Sequence, residues 1–162
     1  MKTMKAPKSS GFTLVELVMV IILIGVLSAL GVGLFAGRSA FSPLLATQQL
    51  QSATLLAQQA ALAGKLSSRV EIVGTTFNAA FNEADGSAAT IQAFNLDGED
   101  FSVDPPNKTL YFNKLAVPVD ASGNAIGAAT PIRISKDGIE FVLCISSLGA
   151  VYQVNSVVAC HG

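Results

Sequence analysis

The sequence predicts an α+β protein in which a long N-terminal helix, apolar enough over its first half to lie in a membrane, packs on an antiparallel β-sheet. Three observations predict it. Leu14 to Phe35 is a run of 22 residues whose one ionisable side chain is Glu16. Residues 44–66 are rich in Ala, Leu and Gln and contain no β-branched run. From Arg69 onward, short runs enriched in β-branched and aromatic residues alternate with Gly-containing turns. Several strands after one helix, with no helices between them, imply an antiparallel sheet packed on that helix. The chain of 162 residues is one domain's worth. It is 51% hydrophobic and 13% charged, with a mean hydropathy of +0.53, against roughly 25% charged in an average soluble domain.

The first element is the apolar run. As a helix it measures about 33 Å at roughly 1.5 Å per residue, enough to cross a hydrocarbon core of about 30 Å. Ahead of it, residues 1–11 carry Lys2, Lys5 and Lys8 and no acid. The positive-inside rule holds this end in the cytoplasm and sends the C-terminal domain outward. A secretory signal peptide would need a shorter apolar region and a small-residue cleavage site; no convincing A-x-A follows the run. Glu16 admits two readings. A carboxylate near the interface can snorkel at modest cost. Alternatively, a cut between Gly11 and Phe12 would place a new α-ammonium, with an ordinary pKa near 8, four residues before Glu16. That ammonium would be answered by the carboxylate of its own chain or, in a packed assembly, of a neighbour's, where a low dielectric makes the match selective. The N-terminus of a helix favours an anion in the same place.

Lys8-Ser9-Ser10-Gly11-Phe12-Thr13-Leu14-Val15-Glu16-Leu17-Val18 resembles the class III leader and cleavage site of type IV pilins and type II secretion pseudopilins. The resemblance rests on a basic leader, Gly before the cut, Phe after it, Glu at the fifth mature residue and an apolar helix behind. It implies the pilin fold, cleavage after Gly11 by prepilin peptidase, N-methylation of Phe12 and an assembly ion pair through Glu16. It also implies a single-pass inner-membrane protein with a periplasmic C-terminal domain, later part of a pilus, whose partners are other pilins and minor pilins. Gly25 falls at a helix-packing position of many pilins; Gly33 stands where many carry a kinking proline. Gly31, Gly33, Gly37 and Pro43 offer similar flexibility. The domains are then a leader over 1–11, a membrane and assembly helix over 12–36, an amphipathic helix over 37–66, and an antiparallel β domain over 67–162.

In the second helical segment, Leu55, Leu62, Ala63 and Leu66 share one face, which reads as core packing with a lesser share in subunit contact. Gly64 is a C-terminal signal. The strand runs are RVEIV, TIQAF, TLYF, LAVPV, PIRIS, IEFVLCIS and AVYQV. Turn signals separate them, Pro105-Pro106 and Pro118 mark edges or bends, and 120–131 reads as a small-residue loop.

The other candidates are few. If the C-terminal domain lies outside the inner membrane, Cys144 and Cys160 are expected to form a disulfide, worth roughly 3 kcal/mol for a loop of about 15 residues. His161 reads as a solvated tail residue. Asp97, Glu99, Asp100 and Asp104 form an acidic loop whose spacing is not that of an EF-hand, so a solvated turn is preferred to a calcium site. One His and two Cys leave no zinc or iron–sulfur ligand set. No metal, cofactor or catalytic residue is expected, and the chain reads as a non-enzyme.

Function therefore divides three ways. Residues 37–43, Gln48-Gln49-Leu50 and 57–62 resemble the minor pilins of the mannose-sensitive haemagglutinin (MSHA) pilus, of the MshC group. This implies a minor type IV pilin acting in pilus assembly or initiation, and hence in surface adhesion. The segment 136–151 (KDGIEFVLCISSLGAV) resembles type II secretion pseudopilins of the H type, the first alternative, and FimT-like DNA-uptake minor pilins, the second. Electrostatics opposes nucleic acid. With Lys2, Lys5 and Lys8 removed from ten basic residues, seven remain against eleven acidic ones, and residues 137–162 contain no Lys or Arg. With no Trp and only Tyr111 and Tyr152 beside the Phe residues, a sugar-binding surface has no particular support, and any small-molecule ligand is left unspecified.

Overall fold

The computed structural model describes residues 13–35, 41–154 and 157–161, with residues 29–35 and 41 described by their backbone alone. The chain divides into two units, Met1–Arg38 and Ser39–Gly162. In the first unit the described element is helix α1, Leu14–Phe35. Every described side chain on α1 is exposed, from Leu14 at 78% to Leu27 at 66%. An apolar helix with no polar face gains by removing that surface from water.

The second unit is built around helix α2, Phe41–Leu62. Pro43 sits in its first turn, where the missing N–H removes no helical hydrogen bond. The helix stops at Gly64, whose φ of +80° is the left-handed cap conformation. Gly64 N donates to Ala61 O at 2.9 Å and Lys65 N to Ala60 O at 3.0 Å, the paired bonds of a Schellman motif. Gly64 therefore lies just past the helix end, and Leu66 opens the first strand.

The buried face of α2 differs from the sequence expectation. Leu55 and Leu62 are 43% and 62% exposed, and Ala63 and Leu66 are also exposed. The face that enters the core is Ala46, Leu50, Ala53, Ala57 and Ala61. Thr47 and Thr54 are buried beside them, their hydroxyls donating to the carbonyls of Pro43 at 2.7 Å and Leu50 at 2.8 Å. The physical reason is proximity: α2 packs against strands of two sheets, and small side chains let those backbones approach. Periodicity of bulky residues points to the opposite face.

Among the described residues nine strands follow: β1 Leu66–Val73, β2 Thr76–Asn82, β3 Ala88–Asn95, β4 Ser102–Asp104, β5 Asn107–Phe112, β6 Pro118–Val119, β7 Thr130–Lys136, β8 Ile139–Ile145 and β9 Val151–Val154. They form two antiparallel sheets rather than one, ordered β3-β2-β1-β5-β6 and β4-β7-β8-β9. The chain changes sheet three times: across 96–101 between β3 and β4, at Pro105-Pro106 between β4 and β5, and across 120–129 between β6 and β7. Proline cannot donate to a ladder, so a Pro pair is a natural break. Strand β2 (TFNAAFN) carries low β-propensity residues and gives no sequence signal. Phe77 and Ala79, both fully buried, hold it under α2. A two-residue loop, Gly74-Thr75, joins it to β1, with Gly74 at φ +57° as a first hairpin position needs. Val70, Ile72, Leu110, Ile132, Ile134, Leu143 and Ile145 complete one core between helix and sheets.

Four five-residue turns share one construction. In 83–87, 113–117, 120–124 and 146–150 the first residue exchanges backbone hydrogen bonds with the fifth and fourth. The fourth residue is left-handed: Gly86, Ala116, Gly123 and Gly149, with φ between +59° and +89°. Ala116 is the odd one, since a Cβ in this region is strained. Ala116→Gly is therefore expected to raise stability by about 0.5–1 kcal/mol, read as an increased urea midpoint at unchanged m. A lower midpoint would show that the methyl group is needed.

Candidate functional site

The sequence leads one to expect assembly residues at the start of α1, and the geometry there is specific. Glu16 Oε2 accepts from Thr13 N at 3.1 Å and from Thr13 Oγ1 at 3.0 Å, while Glu16 N donates to Thr13 Oγ1 at 3.2 Å. Thr13 and Glu16 form a reciprocal capping box: each side chain satisfies a backbone N–H that the helix cannot. The carboxylate is thus held at the helix N-terminus, and it remains exposed. Thr13 is the capping residue that charge and spacing alone passed over. Its signal is the T-x-x-E pattern ahead of an apolar run. Gly11 and Phe12, the residues expected at the cut and at the methylated terminus, lie outside the described residues.

Among the described residues, no helix is long and apolar enough to cross a membrane. The described side chains of α1 stop at Ser28, short of the roughly 20 residues a span requires. The helical backbone itself continues to Phe35.

In the second unit Cys144 and Cys160 are joined by a disulfide, Cα atoms 5.7 Å apart. It ties buried β8 to the segment after the short 3₁₀ turn Val157–Ala159. Tyr152 reinforces this closure: its hydroxyl donates to His161 O at 2.7 Å and accepts from His161 N at 2.8 Å. His161 therefore serves through its backbone. Removing the bridge with Cys144→Ser/Cys160→Ser is expected to cost about 3 kcal/mol for this loop, measured by chemical denaturation. An unchanged midpoint would assign the closure to Tyr152 and packing.

The acidic loop does not converge. Glu99 accepts a hydrogen bond from Ser42 on α2, Asp104 faces Arg133 Nη1 at 3.8 Å, and Asp97 N is taken by Asn95 Oδ1 at 3.0 Å. Among the described residues no three His, Cys, Asp or Glu side chains cluster as metal ligands.

An open cavity of about 670 Å³ lies over the outer face of the five-stranded sheet. Its floor is Arg69, whose guanidinium is already engaged by Glu71 at 2.5 Å, Asn82 at 2.8 Å and the Ser67 carbonyl at 3.2 Å. One wall carries Asp120. The Asn124 side chain and the backbone N–H groups of Asn124 and Ser122 hold its carboxyl below the usual range. Asp85 is held low in the same way by Ser87. Both contributions are present above the ordinary Asp pKa and fade as pH falls through the lowered one. The cavity presents no paired nucleophile and base.

The chain carries the prokaryotic N-terminal methylation motif, matched over residues 7–32. The match takes in Gly11, Phe12, Thr13 and Glu16. Comparison with curated protein sequences finds no match. Among solved structures, the fold is similar to that of the type IV minor pilin FimU of Pseudomonas aeruginosa strain PAO1 in two crystal forms. In the P65 form the TM-score is 0.52 at 18% identity, covering 68% of this chain and 91% of FimU. In the P21 form it is 0.56 at 16% identity, covering 72% and 91%. The architecture is the pilin fold: an N-terminal helical region with antiparallel sheets packed on the helix of the globular unit.

Proposed function

We propose that this chain, a methylation-motif sequence on a pilin fold, is a minor subunit of a type IV pilus, of the MSHA type, that acts in pilus assembly or initiation and so in surface adhesion. One observation carries the reading: α1 is apolar and exposed on every described face, yet opens with a capped carboxylate, Glu16, inside the methylation motif matched over residues 7–32. Such a helix is incomplete alone. In the membrane, lipid covers it; in a filament, the helices of other pilins do. The leader 1–11 is removed by prepilin peptidase at the cytoplasmic face of the inner membrane. Phe12 then becomes an N-methylated terminus, and the β domain stays on the outer side. The chain acts as a structural subunit and not as an enzyme.

In this reading Glu16 pairs with the Phe12 ammonium of a neighbour during assembly, and the Thr13 cap holds the carboxylate ready for it. The exposed Leu45, Leu55 and Leu62 of α2 supply further subunit contact. The H-type secretion pseudopilin shares all of these features. DNA uptake is disfavoured by the excess of acidic over basic side chains after residue 11.

Intact-mass analysis of membrane-extracted protein is expected to show loss of residues 1–11 and gain of one methyl group. A mature N-terminus beyond Phe35 would instead identify a secretory signal peptide. Cross-linking in sheared filaments then separates pilus from secretion system: neighbours that are pilus subunits support the proposal, and neighbours that are secretion pseudopilins overturn it.

A further inference from the structure

The two sheets have four edges, and three are closed to further strands. Strand β4 is three residues long and ends at Asp104 before a Pro pair. Strand β6 is two residues long and begins with Pro118. Strand β9 is four residues long, and its Tyr152 is tied to the tail residue His161. Short strands, prolines, charges and covering segments are the usual means of preventing edge pairing. Strand β3 has none of these four; its one irregularity is a bulge at Ile91, where the register with β2 shifts between Ala79 and Ala80. It runs eight residues (AATIQAFN) without charge or proline, and six of the eight are exposed. Its outer edge carries the unpaired backbone groups of a strand bonded on one side only, to β2.

The charges around that edge select what can pair with it. Glu83 and Asp85 precede β3, and Asp97, Glu99 and Asp100 follow it. Glu83 is partly answered by Lys65 at 3.8 Å and Glu99 by Ser42. Asp85, Asp97 and Asp100 have no ion-pair partner among the described residues. A neutral edge of about 26 Å is thus bracketed by acid at both ends. A second copy would bring acid against acid whether its β3 paired parallel or antiparallel, and like charges oppose pairing.

We infer that the β3 edge is a strand-addition site for an extended polypeptide segment of another protein, uncharged over its middle and basic at both ends. Backbone hydrogen bonds to β3 give affinity, and the terminal Lys or Arg residues set the register against the two acidic brackets. The inference goes beyond the role of α1 in assembly and does not depend on it.

The test uses the full chain in detergent micelles and a fluorescent ten-residue peptide of alternating Thr and Val with Lys at both ends. Binding is followed by anisotropy, and amide exchange is read across residues 88–95. The Lys-ended peptide is expected to bind and to slow exchange in β3. The same peptide N-methylated at alternate residues along one edge is expected to bind at least tenfold more weakly, as is the peptide with Glu at both ends. Asp97→Asn/Asp100→Asn is expected to weaken the Lys-ended peptide several-fold while leaving unfolding unchanged. No binding, equal binding of the N-methylated peptide, or equal binding of the Glu-ended peptide would each overturn the inference. Self-association of the chain through β3 would overturn it too, since the occupant would then be a second copy.

Discussion

Glu16→Ala is expected to leave the protein in the membrane at wild-type levels or slightly above, while its share in sheared filaments falls by an order of magnitude or more. The first half follows from cost. A carboxylate in a membrane helix is unfavourable, less so near the interface, so its removal does not impair insertion. The second half follows from what an incoming ammonium meets: left unpaired in a dry interface, it carries a desolvation penalty of several kcal/mol, and about 1.4 kcal/mol is tenfold in an equilibrium. The capping box adds an ambiguity that a second variant removes. Alanine also loses the hydrogen bonds from Thr13 N at 3.1 Å and Thr13 Oγ1 at 3.0 Å, worth about 1 kcal/mol of helix-end stability. Glutamine retains a capping-box acceptor without the charge. Glu16→Gln is therefore expected to fail in filaments as alanine does. If glutamine restores incorporation, Glu16 works as a cap and the ion pair is dismissed. A subunit seated at a filament tip would show a milder defect, because one of its neighbours is missing.

Gly149→Ala is expected to be the most destabilising single-methyl change in the globular unit, costing about 3 kcal/mol and lowering Tm by on the order of 10 °C. Two effects coincide there. At φ +89° any Cβ is strained, and at this site it would lie 2.4 Å from the Ala116 carbonyl oxygen. The turn cannot move away freely. Gln58 Nε2, projecting from α2, donates to Ala116 O at 3.1 Å and to Gly149 O at 2.6 Å, fastening one turn of each sheet to the central helix. Displacing Gly149 leaves half-buried carbonyls without their donor. Gly123→Ala isolates the strain, since its φ is +88° and nothing lies within 4 Å of the added Cβ; its cost is expected near 1 kcal/mol. Thermal unfolding of the two variants side by side decides the matter. Equal losses would mean that the approach to Ala116 relaxes without consequence and that the Gln58 clamp contributes little.

Those two sites differ in how far they can be read from the chain. Glu16 stands out because it is the single charge in an apolar run, and the Thr13 cap is readable from four adjacent residues. Gln58 carries no such mark. It is one of several glutamines on α2, and its partners lie 58 and 91 residues away. Leu55 and Leu62 show the same limit from the other direction: their spacing is a genuine helical stripe, but spacing says only that they share a face. Which face is buried depends on how closely the sheets approach, and here Ala46, Ala53, Ala57 and Ala61 permit that approach.

The sequence by itself determined the local and the chemical: an apolar helix opening with a capped carboxylate, the stop at Gly64, the β-rich character after Arg69, and two cysteines at separated positions. Each is set by near neighbours through hydrogen bonding, backbone freedom or hydropathy. Tertiary structure alone decided that the strands divide into two sheets, that the weakly β-prone TFNAAFN becomes a strand under α2, that Gln58 clamps the turns at Ala116 and Gly149, and that β3 is left as the open edge. These outcomes turn on contacts between residues far apart in the chain. Burial energy there outweighs local preferences of a few tenths of a kcal/mol per residue.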